Sequence, residues 1–325
     1  MTVPYAFRLL LLCLASFFLV HLTFGMIVSG IAPAAIRMAE RMTSQSAARF
    51  LLALRMLPLA LAMFVVAGIC VPSYLWFEPE GAAEQVGFGC LITAILGACL
   101  WAVSITRGLR AAASSARYTR HCRRVGRRTL FRGGRSPVWI VDGAAPFLGL
   151  AGIVHPTIII SPDVVSVLSN GQLAAALQHE RAHRISHDNL KRLFVLLSPD
   201  VFPFFHGFGV LERAWTRFAE WAADDCAVAG DARRSLSLAA ALVRVARMGS
   251  AAAPSPLVAC LIENSSDLSA RVDRLLRAAP AAEKSSRTVP VVVVTATLML
   301  ACLIAIMLQP ATLNSGHELL ERLIH

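Results

Sequence analysis

The sequence predicts an α-helical membrane protein. Four transmembrane helices are expected, with a cytoplasmic α+β domain inserted between the third and the fourth. Three observations carry this. Of the 325 residues, 56% are hydrophobic and only 16% are charged, against about 25% charged in an ordinary soluble domain. The apolar residues collect in runs close to the roughly 20 needed to cross a bilayer. The cations, 31 Lys and Arg against 20 Asp and Glu for a net charge of +11, collect mainly after the third run. Together these exclude a secreted disulfide scaffold, a disordered tail and a coiled coil. The eight cysteines include no C-x-x-C pair, and five lie in the apolar runs, as buried or reduced thiols do.

Residues 1–136 contribute three spans and a basic loop. The first span covers about 9–35, with no formal charge between Arg8 and Arg37. It is too long for the h-region of a signal peptide and reads as retained. The second covers 56–77 and the third 86–106. Ten arginines then lie between Arg107 and Arg135 with no acidic residue among them, while the loop between spans two and three holds Glu78, Glu80 and Glu84 and no cation. The positive-inside rule therefore puts residues 107–288 in the cytoplasm of a bacterial inner-membrane protein, with the N-terminus and the tail after Leu308 outside. Tyr118 and Phe131 are the only aromatic residues among the arginines, so the run reads as a topology signal, with anionic lipid head groups as a further partner, rather than as a nucleic-acid patch.

Residues 137–286 form the domain. Val138–Val141 and Thr157–Ile160 read as short buried strands. Ser169 and Gln172 have capping-box spacing at the head of a helix running through Ile185. Further helices are expected at about 211–229, stopping at Gly230, from the N-cap Asp231, and at about 267–277. The stretch 278–286 is a linker into residues 287–325, which hold the fourth span (289–308) and a short tail.

The chemistry lies in His179-Glu180-Arg181-Ala182-His183. Residues i and i+4 project from one helix face, so both imidazoles can reach one metal ion. The intervening Glu180 can take a proton from an attacking water and pass it to a leaving amine. Two histidines plus one carboxylate is the ligand set of hydrolytic zinc, so one Zn2+ per chain is expected. Glu220 and Asp224, again i and i+4 on a later helix, supply the third ligand and a carboxylate that orients a ligand histidine.

This pairing of H-E-x-x-H with a later E-x-x-x-D resembles the gluzincin zinc peptidases, and its details resemble their membrane members. The stretch PTIIISPDVVSVLSNGQLAAALQHERAHRISHDN resembles their strand, Ser-Pro, helix, H-E-x-x-H and Asp pattern, and FAEWAADDCAVAG resembles their second motif helix. Three spans before the domain and one after it are similar to the bacterial beta-lactam sensor-transducer peptidases of the antirepressor type. No penicillin-binding domain follows the last span in this sequence, so a beta-lactam ligand is not implied. The CAAX-type and heat-shock membrane peptidases share the same motifs. The resemblance implies a zincin-like metallopeptidase domain, with Asp188 a hydrogen-bonding residue.

The stretch 193–211 is apolar enough for a fifth span. A single crossing would put Glu220 about 30 Å from the histidines, which must share one ion with it at about 2 Å. It is therefore expected to be re-entrant or interfacial, interrupted by Pro199, Asp200, Pro203 and Gly207. His187, His206 and His155 are candidate substrate or transition-state contacts, each set against a solvated or structural role. Residues 147–157 are expected either to offer an edge strand to an extended peptide or simply to pack in a sheet. Trp215, Phe218 and Trp221 are core or interface anchors.

The expected function is a membrane zinc endopeptidase cutting a cytoplasmic or membrane-proximal protein. The resemblance implies regulated proteolysis, by self-cleavage or by cleavage of a transcriptional repressor. The alternatives are a quality-control peptidase and a non-catalytic zinc-binding transducer. The implied partners are a protein or peptide substrate and the lipid bilayer, with no nucleic acid.

Overall fold

The computed structural model describes residues 5–77, 87–131, 137–143, 146–200, 207–249, 257–261 and 265–277. The protein is mostly helical, with one small mixed sheet. Three helical stretches are long and apolar enough to cross a membrane: Tyr5–Ala39, Ser44–Trp76 and Phe88–Val125. The expected fourth span at 289–308, the acidic loop at 78–85 and His206 lie outside the described residues.

The first stretch is α1 (Tyr5–Ala39). The second is α2 (Ser44–Val65), a π-helical turn over Val66–Cys70, and α3 (Val71–Phe77). The π turn directly precedes Pro72, whose ring would clash with the carbonyl four residues back in a regular helix, so a wider turn relieves the clash. The third stretch is α4 (Phe88–Val125), and it corrects one expectation. Most of the basic stretch after span three is a continuation of the helix rather than a loop. Its composition explains this: Ala and Arg are strong helix formers, no proline interrupts, and the helix stops at Gly126. Gly97 lets α4 approach the α1 backbone at Leu14, where any Cβ would collide with the Leu14 carbonyl oxygen.

The sheet follows. It contains β1 (Arg127–Thr129), β2 (Val138–Ile140), β3 (Leu148–Ala151), β4 (Thr157–Ile160) and β5 (Val258–Cys260). The strand order is β1-β2-β4-β3-β5. Only β2 and β4 run parallel, with Trp139 opposite Ile159; the other pairs are antiparallel. This order corrects the edge-strand expectation for 147–157. Strand β3 is interior, hydrogen-bonded to β4 on one side and β5 on the other, so no ladder edge is left for a peptide there.

Six further helices complete the described residues. They are α5 (Pro162–Val167), α6 (Asn170–Ser186), α7 (Asp188–Leu197), α8 (Gly207–Val228), α9 (Ala232–Arg247) and α10 (Ser265–Arg277). The capping box at Ser169 and Gln172 is complete in both directions, and the Asp231 side chain caps α9 through the amides of Arg233 and Arg234. The apolar core joins Leu150, Ile158 and Ile160 of the sheet to Leu173 and Ala176 of α6, Leu238 and Leu242 of α9, and Leu275 of α10. A second core binds α8 to the long apolar helices: Phe208, Leu211, Trp215 and Phe218 pack with Val28 and Ala32 of α1 and Leu51 of α2. Trp215 and Phe218 are therefore core residues, with Trp221 packed alongside.

Candidate metal centre

Helix α6 carries His179, Glu180 and His183 on a buried face, all at most 2% exposed. It can be buried there because its neighbours are small: Ala175 and Ala176 share a core with Ala227 and Val228 of α8. Helix α7 leaves α6 at His187 and ends at Leu197, and α8 begins at Gly207 and packs against α6. The return brings Glu220 (6% exposed) onto the histidines. The His179 and His183 Nε2 atoms are 3.1 Å apart. Glu220 Oε2 is 3.4 Å from His179 Nε2, and Glu220 Oε1 is 3.5 Å from His183 Nε2. These three residues can hold a metal ion.

The opposite ring nitrogens face carboxylates. His179 Nδ1 lies 2.9 Å from Asp224 Oδ1, and His183 Nδ1 lies 2.7 Å from Asp188 Oδ2. His183 Nδ1 donates to Asp188 and His179 Nδ1 stands in ion-pair range of Asp224; a carboxylate beside Nδ1 favours the tautomer that turns the Nε2 lone pair to the shared point. Lys191 Nζ donates to the other Asp188 oxygen at 2.7 Å.

The electrostatics are those of a site short of positive charge. Burial would depress the His183 pKa, but Glu220 and Asp188 more than offset it and raise it to about 10. His179 is raised in the same way, by Asp224 and Glu220 against burial. Burial opposes ionisation of Glu220, yet His183 and Arg271 hold its carboxyl well below the usual range. Two histidines that hold a proton this firmly beside an ionised carboxylate can exchange it for a divalent cation. Glu180 differs. Burial pushes its carboxyl up to about 7, with only partial relief from the two histidines.

The buried carboxylate oxygens fit a cation site. Both Glu180 oxygens are buried and accept no hydrogen bond among the described residues, and the Glu220 oxygens have ion-pair contacts only, with Arg271 Nη1 at 3.0 Å and the two histidine Nε2 atoms at 3.4 and 3.5 Å. Buried acceptors are rarely left so. A metal ion shared with the histidines would add a partner for the Glu220 oxygens.

Arg271 is a participant that the sequence reading missed. From α10, at 4% exposure, it forms a fork on Asp224, with Nη2 2.6 Å from Oδ1 and Nε 2.9 Å from Oδ2. Its Nη1 lies 3.0 Å from Glu220 Oε2 and donates to the Leu261 carbonyl at 2.8 Å. One guanidinium thus offsets two buried carboxylates. The readable signal was position: Arg271 falls among Leu268, Val272 and Leu275 on the apolar face of α10, where an unpaired cation would be costly. Arg192 of α7 approaches Glu220 more loosely, at 3.9 Å.

Two of the three candidate histidines are described, and neither joins the cluster. Helix α6 ends at Ser186, and His187 turns left-handed with φ 54°. That turn carries its exposed side chain off the face of His179 and His183. His155 is exposed in the turn between β3 and β4. The chain matches no protein-family model and no curated protein.

Proposed function

We propose that this chain is a membrane-embedded zinc endopeptidase. The observation that carries the reading is the ligand geometry. Donors sharing a tetrahedral zinc at about 2.0–2.1 Å lie about 3.3–3.4 Å apart. The two Nε2 atoms here are 3.1 Å apart, and each has a Glu220 oxygen close by, Oε2 at 3.4 Å from His179 and Oε1 at 3.5 Å from His183, so one carboxylate faces both imidazoles. Two nitrogens and one carboxylate leave a fourth position free, the arrangement of a hydrolytic rather than a structural site.

Zinc bound there would supply a Lewis acid for a scissile carbonyl and acidify a water. The rest falls to the chain. Asp224 and Asp188 hold His179 and His183 in the tautomer that presents Nε2. Glu180 stands beside the ligands with both oxygens free of hydrogen bonds. It accepts the proton of the attacking water and returns it to the amine nitrogen that leaves. A pKa near 7 suits a group that must do both. Arg271 keeps Glu220 and Asp224 ionised in an otherwise apolar interior. The same free Glu180 weighs against a non-catalytic transducer, because a structural site needs no base.

The substrate proposed is a cytoplasmic or membrane-proximal protein, cut in regulated proteolysis at a bacterial inner membrane. Full-length protein in lipid nanodiscs tests this. Glu180→Gln should retain one zinc per chain and lose cleavage by about 10²–10⁴-fold, the usual contribution of a general acid–base. Identical cleavage by wild type and variant overturns the reading.

A further inference from the structure

The three long apolar helices converge on one short segment, Ser198-Pro199-Asp200, where the chain leaves α7 on its way to α8. Arg55 of α2, 1% exposed, spans this junction. Its Nη1 donates to Ser198 Oγ at 3.0 Å, its Nη2 to Asp200 Oδ1 at 2.6 Å, and its Nε to Glu212 Oε1 at 2.8 Å. Its guanidinium also stands 4.2 Å from the centre of the Phe208 ring. One side chain therefore fastens the exit of α7 to the first turns of α8. Arg107 of α4 donates to the Leu196 carbonyl at 3.0 Å and the Ser198 carbonyl at 3.1 Å, and also binds the second Asp200 oxygen. These are carbonyls that the end of a helix leaves without intrahelical partners. His21 of α1, fully buried, donates from Nε2 to the Pro199 carbonyl at 3.1 Å.

The segment so gripped joins the helix after the H-E-x-x-H motif to the helix that carries Glu220. Glu220 is eight residues beyond Glu212, about 12 Å along α8 at 1.5 Å per residue. Helix α2 follows α8 over that distance through Leu51, Leu211, Trp215 and Phe218. Beyond Glu220 the two are tied again: Arg274 donates to Ser44 Oγ at 3.1 Å and to Asp225 Oδ2 at 2.7 Å. The third ligand thus sits on a helix pinned to α2 on both sides of it. A metal centre tolerates misplacement of only about 0.5 Å.

We propose that Arg55 is a positioning residue for the metal centre. Through Asp200 and Glu212 it sets where Glu220 stands against His179 and His183, so that a displacement of α1, α2 and α4 changes metal affinity and thereby activity. The proposal rests on reading the His179–His183–Glu220 cluster as a metal centre. It gives the apolar helices a regulatory role beyond anchoring.

The test uses the full chain in nanodiscs, with zinc Kd read by competition against a chromophoric chelator and amide hydrogen exchange read along α8. Arg55→Gln is expected to weaken zinc binding about tenfold or more. It should also speed exchange over 212–220 while α9 exchanges as in wild type. Arg55→Lys, which keeps the charge but loses the fork, should fall between. Asp200→Asn should weaken binding in the same direction, and combining it with Arg55→Gln should cost less than the two separate losses together. If Arg55→Gln fails to fold, Arg55→Lys and Asp200→Asn carry the test. A purely structural role would lower the melting temperature and leave the zinc Kd and the α8 exchange unchanged, and that result overturns the proposal. Should wild type bind no zinc, the metal reading fails by itself, while the exchange of α8 against α9 still decides the coupling.

Discussion

Two buried arginines organise this molecule, and they do so differently. Arg271 gathers Glu220 and Asp224 beside the histidines. Arg55 gathers Asp200 and Glu212 among the apolar helices. Arg271 offsets two carboxylates with one guanidinium, whereas Arg55 shares Asp200 with Arg107. Around Arg55 the accounts close: Nε, Nη1 and Nη2 each have a partner, and Asp200 and Glu212 keep some solvent at 40% and 36% side-chain exposure. Around Arg271 they do not. Glu220 is 8% exposed on its side chain and held by Arg271 through an ion pair, and both buried Glu180 oxygens accept no hydrogen bond among the described residues. A buried Arg–carboxylate pair therefore says little about function by itself. The surplus of acceptors over donors distinguishes a centre that holds a cation from a staple that holds helices.

This contrast can be broken or sharpened by substitution. The largest effect is expected at the base, where Glu180→Gln removes turnover and leaves zinc in place. Next comes Glu220→Ala, which should leave the purified protein without stoichiometric zinc; equal metal content by elemental analysis would point to another carboxylate as third ligand. Arg271→Gln strips the compensation from two buried carboxylates. A cost of about 3–5 kcal/mol is expected in zinc-free protein, smaller when zinc is added because the cation replaces part of the lost charge. A thermal or denaturant melt with and without zinc checks this, and a loss independent of zinc would mean that Arg271 and the metal do not share the same carboxylates. Asp224→Asn keeps the volume and removes the charge, so zinc should bind about 10–100-fold more weakly. Smallest is Ser169→Ala, which deletes the α6 N-cap. It should cost about 0.5–2 kcal/mol of stability and leave zinc affinity unchanged, separating the stability of the motif helix from the chemistry it carries.

Much of the centre was legible in the sequence because it is built from local spacing. His179 with His183, and Glu220 with Asp224, are i and i+4 pairs, and a helix converts that spacing into one face without any tertiary knowledge. Asp188 was implied by the resemblance to the membrane peptidases rather than by helical spacing. Arg271 was not legible as a partner. It lies 92 residues from His179, and only the packing of α10 brings the two together. The same limit applies to the sheet. Strands β2 and β4 announce themselves as apolar runs, whereas β5 is three residues, Val258–Cys260, too short to show a period. The interior position of β3 depends on that strand. In the basic stretch, charge masked structure. Arginines marked the expected cytoplasmic boundary, yet they are good helix formers, and α4 runs through them to Val125.

The central claim is that His179, His183 and Glu220 share one zinc. X-ray absorption at the zinc edge of the zinc-loaded full-length protein addresses it most directly. The account predicts a first shell of nitrogen and oxygen only, with imidazole scattering from two histidines and distances of about 2.0–2.2 Å. A zinc–sulfur shell at about 2.3 Å would place the metal on cysteines instead and contradict the account.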